Sequence, residues 1–156
     1  MIRQLRPDDV GACAELLARL PEWFGLADAN AAYVDSLHEL PAFVAVEDRQ
    51  IVGFIAVLEH DEQSAEVTVM AVDPSRHRQG IGQRLLAAAE QRCVDRDVRW
   101  LHVKTRGPAT FDEDYERTRR FYRAMGFDPL YESLTEWGPD NAALVLVKHL
   151  GCRRSP

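Results

Sequence analysis

The sequence predicts a single α/β domain whose mixed β-sheet carries helices on both faces. Runs of β-branched residues alternate with segments of helical periodicity in the order β-α-α-β-β-β-α-β-α-β-β. The early strands follow one another closely, which favours antiparallel pairing, whereas later ones are separated by the helix that a parallel crossover requires. A chain of 156 residues has the length of one domain. We therefore expect residues 1–150 to form that domain and residues 151–156 to be a frayed tail.

The first half of the chain predicts an edge strand, two helices and a β-hairpin. The first helix has proline and acidic residues in its opening turn, an apolar stripe at helical spacing, and Pro21 after its end. Four polar residues between two β-rich runs indicate the hairpin. The predicted elements are a strand at residues 2–6, helices at 7–20 and 28–40, and hairpin strands at 43–46 and 51–58.

The second half predicts two strand–helix pairs and two closing strands. The strand at 65–72 is rich in β-branched residues and alternates imperfectly, so we expect both of its faces to be buried. The long helix after it has Leu85, Leu86 and Ala89 on one face, and the last helix ends at Gly126. The other predicted elements are a strand at 100–104, a helix whose inner face carries Tyr115, Thr118, Tyr122 and Met125, and strands at 127–137 and 142–149.

Composition and charge exclude several classes of protein. No apolar run approaches the ~20 residues that cross a bilayer, and the N-terminus lacks the apolar stretch of a signal peptide, so we expect a cytoplasmic protein without membrane contact. The three cysteines and five histidines are scattered without metal-ligand spacing, which predicts neither disulfides nor a metal site. A net charge of -6 disfavours nucleic-acid binding. It is compatible with a cationic partner such as an ammonium group, and equally with a surface that simply confers solubility.

One segment predicts an anion site. Residues 72–86 lead from a strand through a basic turn into a helix that opens with Gly80 and Gly82. The first N–H groups of a helix are unpaired and carry about half a positive charge, so they bind anions, and glycine lets the backbone approach a phosphate closely. The segment lacks the P-loop pattern, and Leu85 stands where a dinucleotide fingerprint needs its third glycine. The residues by themselves therefore indicate a phosphate or pyrophosphate cradle.

The context of this segment resembles the acetyl-CoA-binding motif of the GNAT superfamily of N-acetyltransferases. That motif is Arg or Gln, two residues, Gly, one residue, then Gly or Ala, and here His77 occupies its first position, ahead of Gly80 and Gly82. Two further segments are similar to the family. Residues 122–127 match its Tyr-x-x-x-Gly-Phe junction, and residues 65–72 match the strand that pairs with the pantetheine arm. The order of elements matches as well, so the resemblance covers nearly the whole chain.

The resemblance implies an enzyme that transfers an acetyl group from acetyl-CoA to a primary amine, of a small molecule or of a protein, by direct attack in a ternary complex. It implies no metal. The implied acetyl-CoA-binding residues are Met70, Ala71, Val72, His77, Arg78, Gln79, Gly80, Ile81, Gly82 and Gln83. Two central strands are expected to diverge where Val72 meets the turn, and a backbone N–H near Ala71 or Val72 to face the thioester oxygen. Pairing of two copies into a homodimer through the apolar run 143–147, on an expected sheet edge, is also implied.

Tyr122 is the implied general acid and Glu66 the implied general base. A phenol suits the reprotonation of a departing thiolate, and the alternative for Tyr122 is a core aromatic on the inner face of its helix. Glu66 occupies the strand position at which several family members carry a catalytic glutamate. Alternatively it is an exposed acid or the partner of an arginine, and water, Glu59, His60 or Asp61 serves as the base. A non-catalytic acyl-CoA-binding sensor or regulatory module, the alternative function, needs neither residue.

The acceptor pocket carries no pattern that identifies the amine. His102 and Lys104 alternate along one strand and are either pocket lining or solvent-facing residues. Trp23 and Phe24 either fold over the acceptor or cap the core. Cys93 lies on an apolar helix face, where thiols are inert.

Overall fold

The computed structural model describes residues 1–109 and 112–151, so the tail predicted at 151–156 lies outside the described residues apart from Gly151. The predicted order of elements is confirmed. They are β1 (Ile2–Gln4), α1 (Val10–Ala18), α2 (Ala27–Ser36), β2 (Ala42–Glu47), β3 (Gln50–Glu59), β4 (Ser64–Val72), α3 (Ile81–Asp95), β5 (Trp100–Arg106), α4 (Glu113–Ala124), β6 (Asp128–Ser133) and β7 (Ala143–His149). Within residues 1–109 and 112–151, none of the helices has the length and apolar content needed to cross a bilayer.

The strands form one mixed sheet in the order β1-β2-β3-β4-β5-β7-β6. Strands β4 and β5, joined through α3, run parallel, and the other neighbouring strands of the described chain are antiparallel. The last strand, β7, inserts between β5 and β6. The prediction that residues 143–147 lie at a sheet edge is therefore wrong. This run is apolar because it lies between two neighbouring strands and not at an edge. Strand β6 is the edge on this side of the sheet, and homodimerisation stays a prediction.

Helices cover both faces of the sheet, and each face has its own hydrophobic core. One core lies under α3 and α4 and includes Ile81, Leu85 and Tyr122. The other lies under α1 and includes Cys13, Leu17 and the fully buried Phe54. Each helix presents one apolar stripe, so a sheet with two apolar faces needs helices on both sides.

A β-bulge at Thr68 divides β4 into two halves that face opposite ways. Val57 of β3 pairs with Val67, and the preceding Ala56 pairs with Val69, which leaves Thr68 as the extra residue. Consequently Val67 belongs to the core under α3 and α4, whereas Val69 belongs to the core under α1. The prediction that both faces of this strand are buried holds in part, because Met70 and Val72 pack against the core under α3 and α4 while Ala71 lies in the core under α1. Buried and half-buried residues alternate strictly along it, and the bulge changes which core receives the buried ones.

Candidate functional site

A cleft opens where β4 and β5 separate. Their paired register runs from Ser64–Trp100 to Val67–Val103 and ends at the bulge. A bulge bends its strand, so β4 leaves β5 there while staying paired with β3 as far as Val72. The strands thus diverge after Val67, earlier than the predicted position at Val72. The cleft has a volume of about 1340 Å³, above the roughly 300–1,000 Å³ of an ordinary ligand pocket, and so has room for two molecules.

The free side of β4 presents backbone groups to this cleft. The N–H of Asp73 donates to the carbonyl oxygen of Val52 at 2.8 Å, which fixes the phase of the ladder between β3 and β4. Because backbone groups alternate in direction along an antiparallel strand, Ala71 faces β3, and Met70 and Val72 face the cleft. Of the two residues expected to supply a backbone donor, the ladder therefore favours Val72 over Ala71.

The start of α3 forms one end of the cleft. Gly80 caps the helix in the left-handed conformation, at φ +76°. A Cβ at this position would meet no neighbouring atom, so the backbone conformation and not a lack of space accounts for the glycine. The imidazole Nε2 of His77 lies 2.9 Å from the carbonyl oxygen of Val72, so the ring is turned back toward the strand end. Nine of the ten predicted cofactor-binding residues line the cleft, the exception being Gln79, whose side-chain amide lies 3.5 Å from the carbonyl oxygen of Ser75.

Four arginines line this end of the cleft, and three of them are paired with carboxylates. Arg76 and Arg78 line it from the turn before α3, and Arg117 and Arg120 line it from α4. The first pair belongs to the basic turn predicted from the sequence, whereas the second pair was not predicted. The missed signal was helical spacing, since Arg117 and Arg120 flank the predicted inner-face residue Thr118.

Tyr122 lies on the α3/α4 face of the sheet. It is 4% exposed and packs edge-on against the rings of Phe121 and Phe127, while also lining the cleft. Within residues 1–109 and 112–151 its hydroxyl has no hydrogen-bond partner. Burial raises the pKa of Tyr122, so the hydroxyl keeps its proton well above neutral pH.

Glu66 lines the same cleft from the opposite face. Its neighbour Val67 points into the core under α3 and α4, and successive strand residues point to opposite sides of a sheet. Its carboxylate lies 2.8 Å from His60 Nε2, 3.4 Å from His102 Nε2 and 3.9 Å from Lys104 Nζ. Burial alone would raise the pKa of Glu66, but hydrogen bonds from His102 and His60 and the charge of Lys104 outweigh it and hold the pKa at about 2. Glu66 is therefore neither a freely exposed acid nor the partner of an arginine.

The two implied catalytic side chains thus approach one cleft from opposite faces of a split sheet, with the unpaired backbone of β4 between them. The model of the GNAT acetyltransferase domain family matches residues 39–129. The chain belongs to the GNAT acetyltransferase family. One relative of this GNAT chain is the amino-acid acetyltransferase of Pseudomonas syringae pv. syringae, 27% identical over 131 residues, which are 83% of the chain and 28% of that protein. The chain therefore spans less than a third of the length of that relative.

Solved structures agree on the fold of this GNAT domain. An aminoglycoside 6'-N-acetyltransferase complexed with coenzyme A superposes with a TM-score of 0.80 at 19% identity, over 99% of each chain. The ribosomal-protein-S18-alanine N-acetyltransferase of Escherichia coli has a TM-score of 0.77 at 18% identity, over 100% of this chain and 98% of that one. At such identities the likeness shows the fold alone.

The segment between α1 and α2 walls the cleft of the GNAT domain on its α1/α2 face. Trp23 and Phe24 both line the cleft. The Tyr115 hydroxyl donates to the carbonyl oxygen of Trp23 at 3.0 Å, and the Trp23 ring meets His77 edge-on at 5.9 Å. Trp23 therefore links this segment to α4 and to the turn before α3, which a simple cap on the core would not require.

Two further predictions can be compared with the structure, and an acidic run has a structural role. Lys104 lines the cleft, whereas His102 contacts Glu66 without lining it. The acidic run before α4 is a helix cap, in which the Asp112 carboxylate accepts the N–H of Asp114 at 3.0 Å. Burial raises the pKa of the Cys93 thiol to about 11, so this cysteine is inert, as predicted.

Proposed function

We propose that the chain transfers an acetyl group from acetyl-CoA to a primary amine within a ternary complex. One observation carries the proposal. The cleft passes through the sheet between β4 and β5, with a cationic helix start on one face and the ionised carboxylate of Glu66 on the other. A thioester on a phosphate-bearing carrier can enter from the first face and meet an ammonium group that enters from the second.

The α3/α4 end suits the anionic part of acetyl-CoA. The N–H groups of Ile81, Gly82 and Gln83 are the unpaired donors of a helix start, and nearby arginines line the same end. The pantetheine arm contains amide groups, so it can add to the free edge of β4 as a further strand would. The backbone groups that support this pairing are those of Met70 and Val72.

The other end suits a cationic acceptor. Glu66 is ionised at every pH near neutrality, so it attracts an ammonium group and holds it beside the cleft. A carboxylate with a pKa of about 2 is a weak proton acceptor. We therefore propose that Glu66 orients the amine and a water molecule, and that this water removes the proton from the amine. The alternative is that the amine passes its proton directly to the carboxylate of Glu66.

The chemical step uses the backbone between the two ends. The neutral amine nitrogen attacks the thioester carbon, an N–C bond forms, and the carbonyl electron pair moves to the oxygen, which the N–H of Val72 stabilises. Attack leaves the nitrogen positively charged, and it gives up one proton to water. Collapse of this intermediate then breaks the C–S bond. The departing thiolate takes the proton of the Tyr122 hydroxyl, and water later returns a proton to the phenolate. Burial makes Tyr122 a weaker acid, but the same dry surroundings make the departing thiolate a stronger base.

Two measurements test this function. The first follows thiol release from acetyl-CoA with amines of the kinds that the relatives' names supply, namely amino acids, aminoglycosides and peptides with N-terminal alanine. Release that depends on one class of amine is expected. Acetyl-CoA binding without release from any amine would instead favour the sensor.

The second measurement is calorimetry of acetyl-CoA binding to Gly82→Asp. A Cβ at this position would lie 3.4 Å from the Phe121 ring, so the side chain fits, and an acidic residue suits the first turn of a helix. A carboxylate beside the pyrophosphate costs several kcal/mol, so affinity should fall by about 100-fold or more. Gly82→Asn, which has the same size without the charge, is the matched control and should lose far less. Equal affinities in the two variants would disprove this location for the pyrophosphate.

A further inference from the structure

Three side chains of the kinds that bind transition metals meet on the α1/α2 face of the sheet. His60 follows β3, Glu66 lies on β4 and His102 lies on β5, where it is the register partner of Glu66. The Nε2 atoms of both histidines approach the same carboxylate oxygen, Glu66 Oε2, at 2.8 Å and 3.4 Å. One nitrogen or oxygen atom from each of the three residues lies within 4.8 Å of the other two.

The spacing is close to that of a tetrahedral zinc centre. Zinc binds imidazole nitrogen and carboxylate oxygen at about 2.0–2.2 Å, which places neighbouring ligand atoms of a tetrahedron roughly 3.3 Å apart. The separations of the two Nε2 atoms from Glu66 Oε2, 2.8 Å and 3.4 Å, lie on either side of that value, and the two imidazoles have ligand atoms within 4.8 Å of each other. The imidazole rings of His60 and His102 are stacked, with centroids 5.3 Å apart and planes inclined by 15°. The exposed His60 ring must therefore turn for both Nε2 lone pairs to point at one ion.

An ion could replace the hydrogen atoms that lie between the two Nε2 atoms and the carboxylate of Glu66. A carboxylate oxygen can only accept, so each Nε2 that bonds to it carries a hydrogen. An ion would bind to the same three atoms. Each imidazole would then carry its hydrogen on Nδ1 and present the bare Nε2 to the ion.

The surroundings leave this point accessible and moderate the affinity. The His60 side chain is 41% exposed, which provides a route for an ion from solvent. Lys104 is the cation nearest to the carboxylate in the described part of the chain, but it approaches the other oxygen, Oε1, at 3.9 Å. Its charge is already compensated by Glu136 at 2.5 Å. The cation therefore weakens the attraction for an ion without occupying its place.

We propose that His60, Glu66 and His102 form a binding site for a divalent ion of the zinc class. Two imidazoles with one carboxylate suit zinc, copper, nickel and cobalt rather than magnesium or calcium, which prefer oxygen ligands. Three protein ligands and a nearby lysine should bind the ion more weakly than the four ligands of a structural zinc site. Glu66 also lines the cleft, so an ion here would displace the amine that the proposed function places beside this carboxylate.

The test is calorimetric titration of the purified protein, freed of any histidine tag, with zinc chloride alone. A Cys152→Ser background removes the thiol of the tail as an alternative ligand. One zinc ion per chain is expected. His60→Ala and His102→Ala should each weaken binding by more than about tenfold, and the exposed His38→Ala is the matched control that should leave it unchanged. Cobalt chloride provides a second readout, because imidazole-bound tetrahedral cobalt absorbs in the visible range.

The outcomes separate this site from the enzyme activity, since neither acetyl-CoA nor an amine is present. Saturable zinc binding that is lost in both histidine variants, with circular dichroism unchanged, supports the site. The proposal is overturned by an absence of saturable binding, by equal affinity in the two variants and the parent, or by loss in His38→Ala or on changing Cys152 alone. If an alanine variant fails to fold, Glu66→Gln replaces it, and retention of parental affinity in that variant also overturns the site.

Discussion

Tyr122→Phe removes one hydroxyl group from the wall of the cleft and almost no volume. The side chain is 4% exposed, and its ring packs against Phe121 and Phe127, contacts that phenylalanine preserves. Its hydroxyl has no hydrogen-bond partner within residues 1–109 and 112–151. No bond is lost, so the free energy of unfolding should change by less than about 1 kcal/mol and should, if anything, increase.

The catalytic effect should be far larger than the effect on stability. Loss of a positioned acid lowers a rate by roughly 10²–10⁴-fold, which corresponds to about 2.7–5.4 kcal/mol of barrier. The loss should appear in kcat rather than in acetyl-CoA affinity, because the proton is needed only when the C–S bond breaks. Thiol release with a competent amine measures kcat, and calorimetry measures the affinity.

Two results would refute this reasoning. A kcat within a few-fold of the parent would show that water protonates the thiolate. A loss of several kcal/mol in unfolding free energy would show that the hydroxyl satisfies a buried partner and that Tyr122 is structural. Tyr131→Phe removes the same hydroxyl from an exposed tyrosine of β6 and should change neither quantity.

Two further predictions concern stability. The Arg3 guanidinium, which donates two hydrogen bonds to Asp9 at 2.6 Å and 2.9 Å, holds the pKa of that carboxyl below its ordinary value. Asp9→Asn should therefore lower the free energy of unfolding by about 1–2 kcal/mol at pH 6–7, and urea titrations should show the difference shrinking below about pH 4, as Asp9 of the parent is protonated. A difference that does not depend on pH would rule out the charge as its origin. Phe54→Ala should cost about 3–5 kcal/mol in the same assay, because Phe54 is fully buried, and the exposed Leu130→Ala should cost less than about 0.5 kcal/mol.

Local signals in the sequence determined the elements and one end of the cleft. Helical spacing from Ile81 to Cys93 and the hairpin between β2 and β3 each depend on neighbouring residues, and both appear where predicted. The anion-binding turn is equally local, because Gly80 adopts a positive φ within a few residues of the helix that it caps. Pattern reasoning and the resemblance to GNAT proteins could therefore place the start of α3 without a structure.

Tertiary structure decided what depends on distant residues. The sequence of β7 looks like an edge strand or a buried one equally well, and its insertion beside β5 follows from the pairing of the whole sheet. No glycine or other local signal in the sequence predicts the bulge at Thr68. The bulge nevertheless separates β4 from β5, and Tyr122 and Glu66 reach the resulting cleft from opposite faces of the sheet. His60 and His102, 42 positions apart, lack any ligand spacing and still converge on Glu66, because hydrogen bonding between strands sets side-chain neighbours without regard to their separation along the chain.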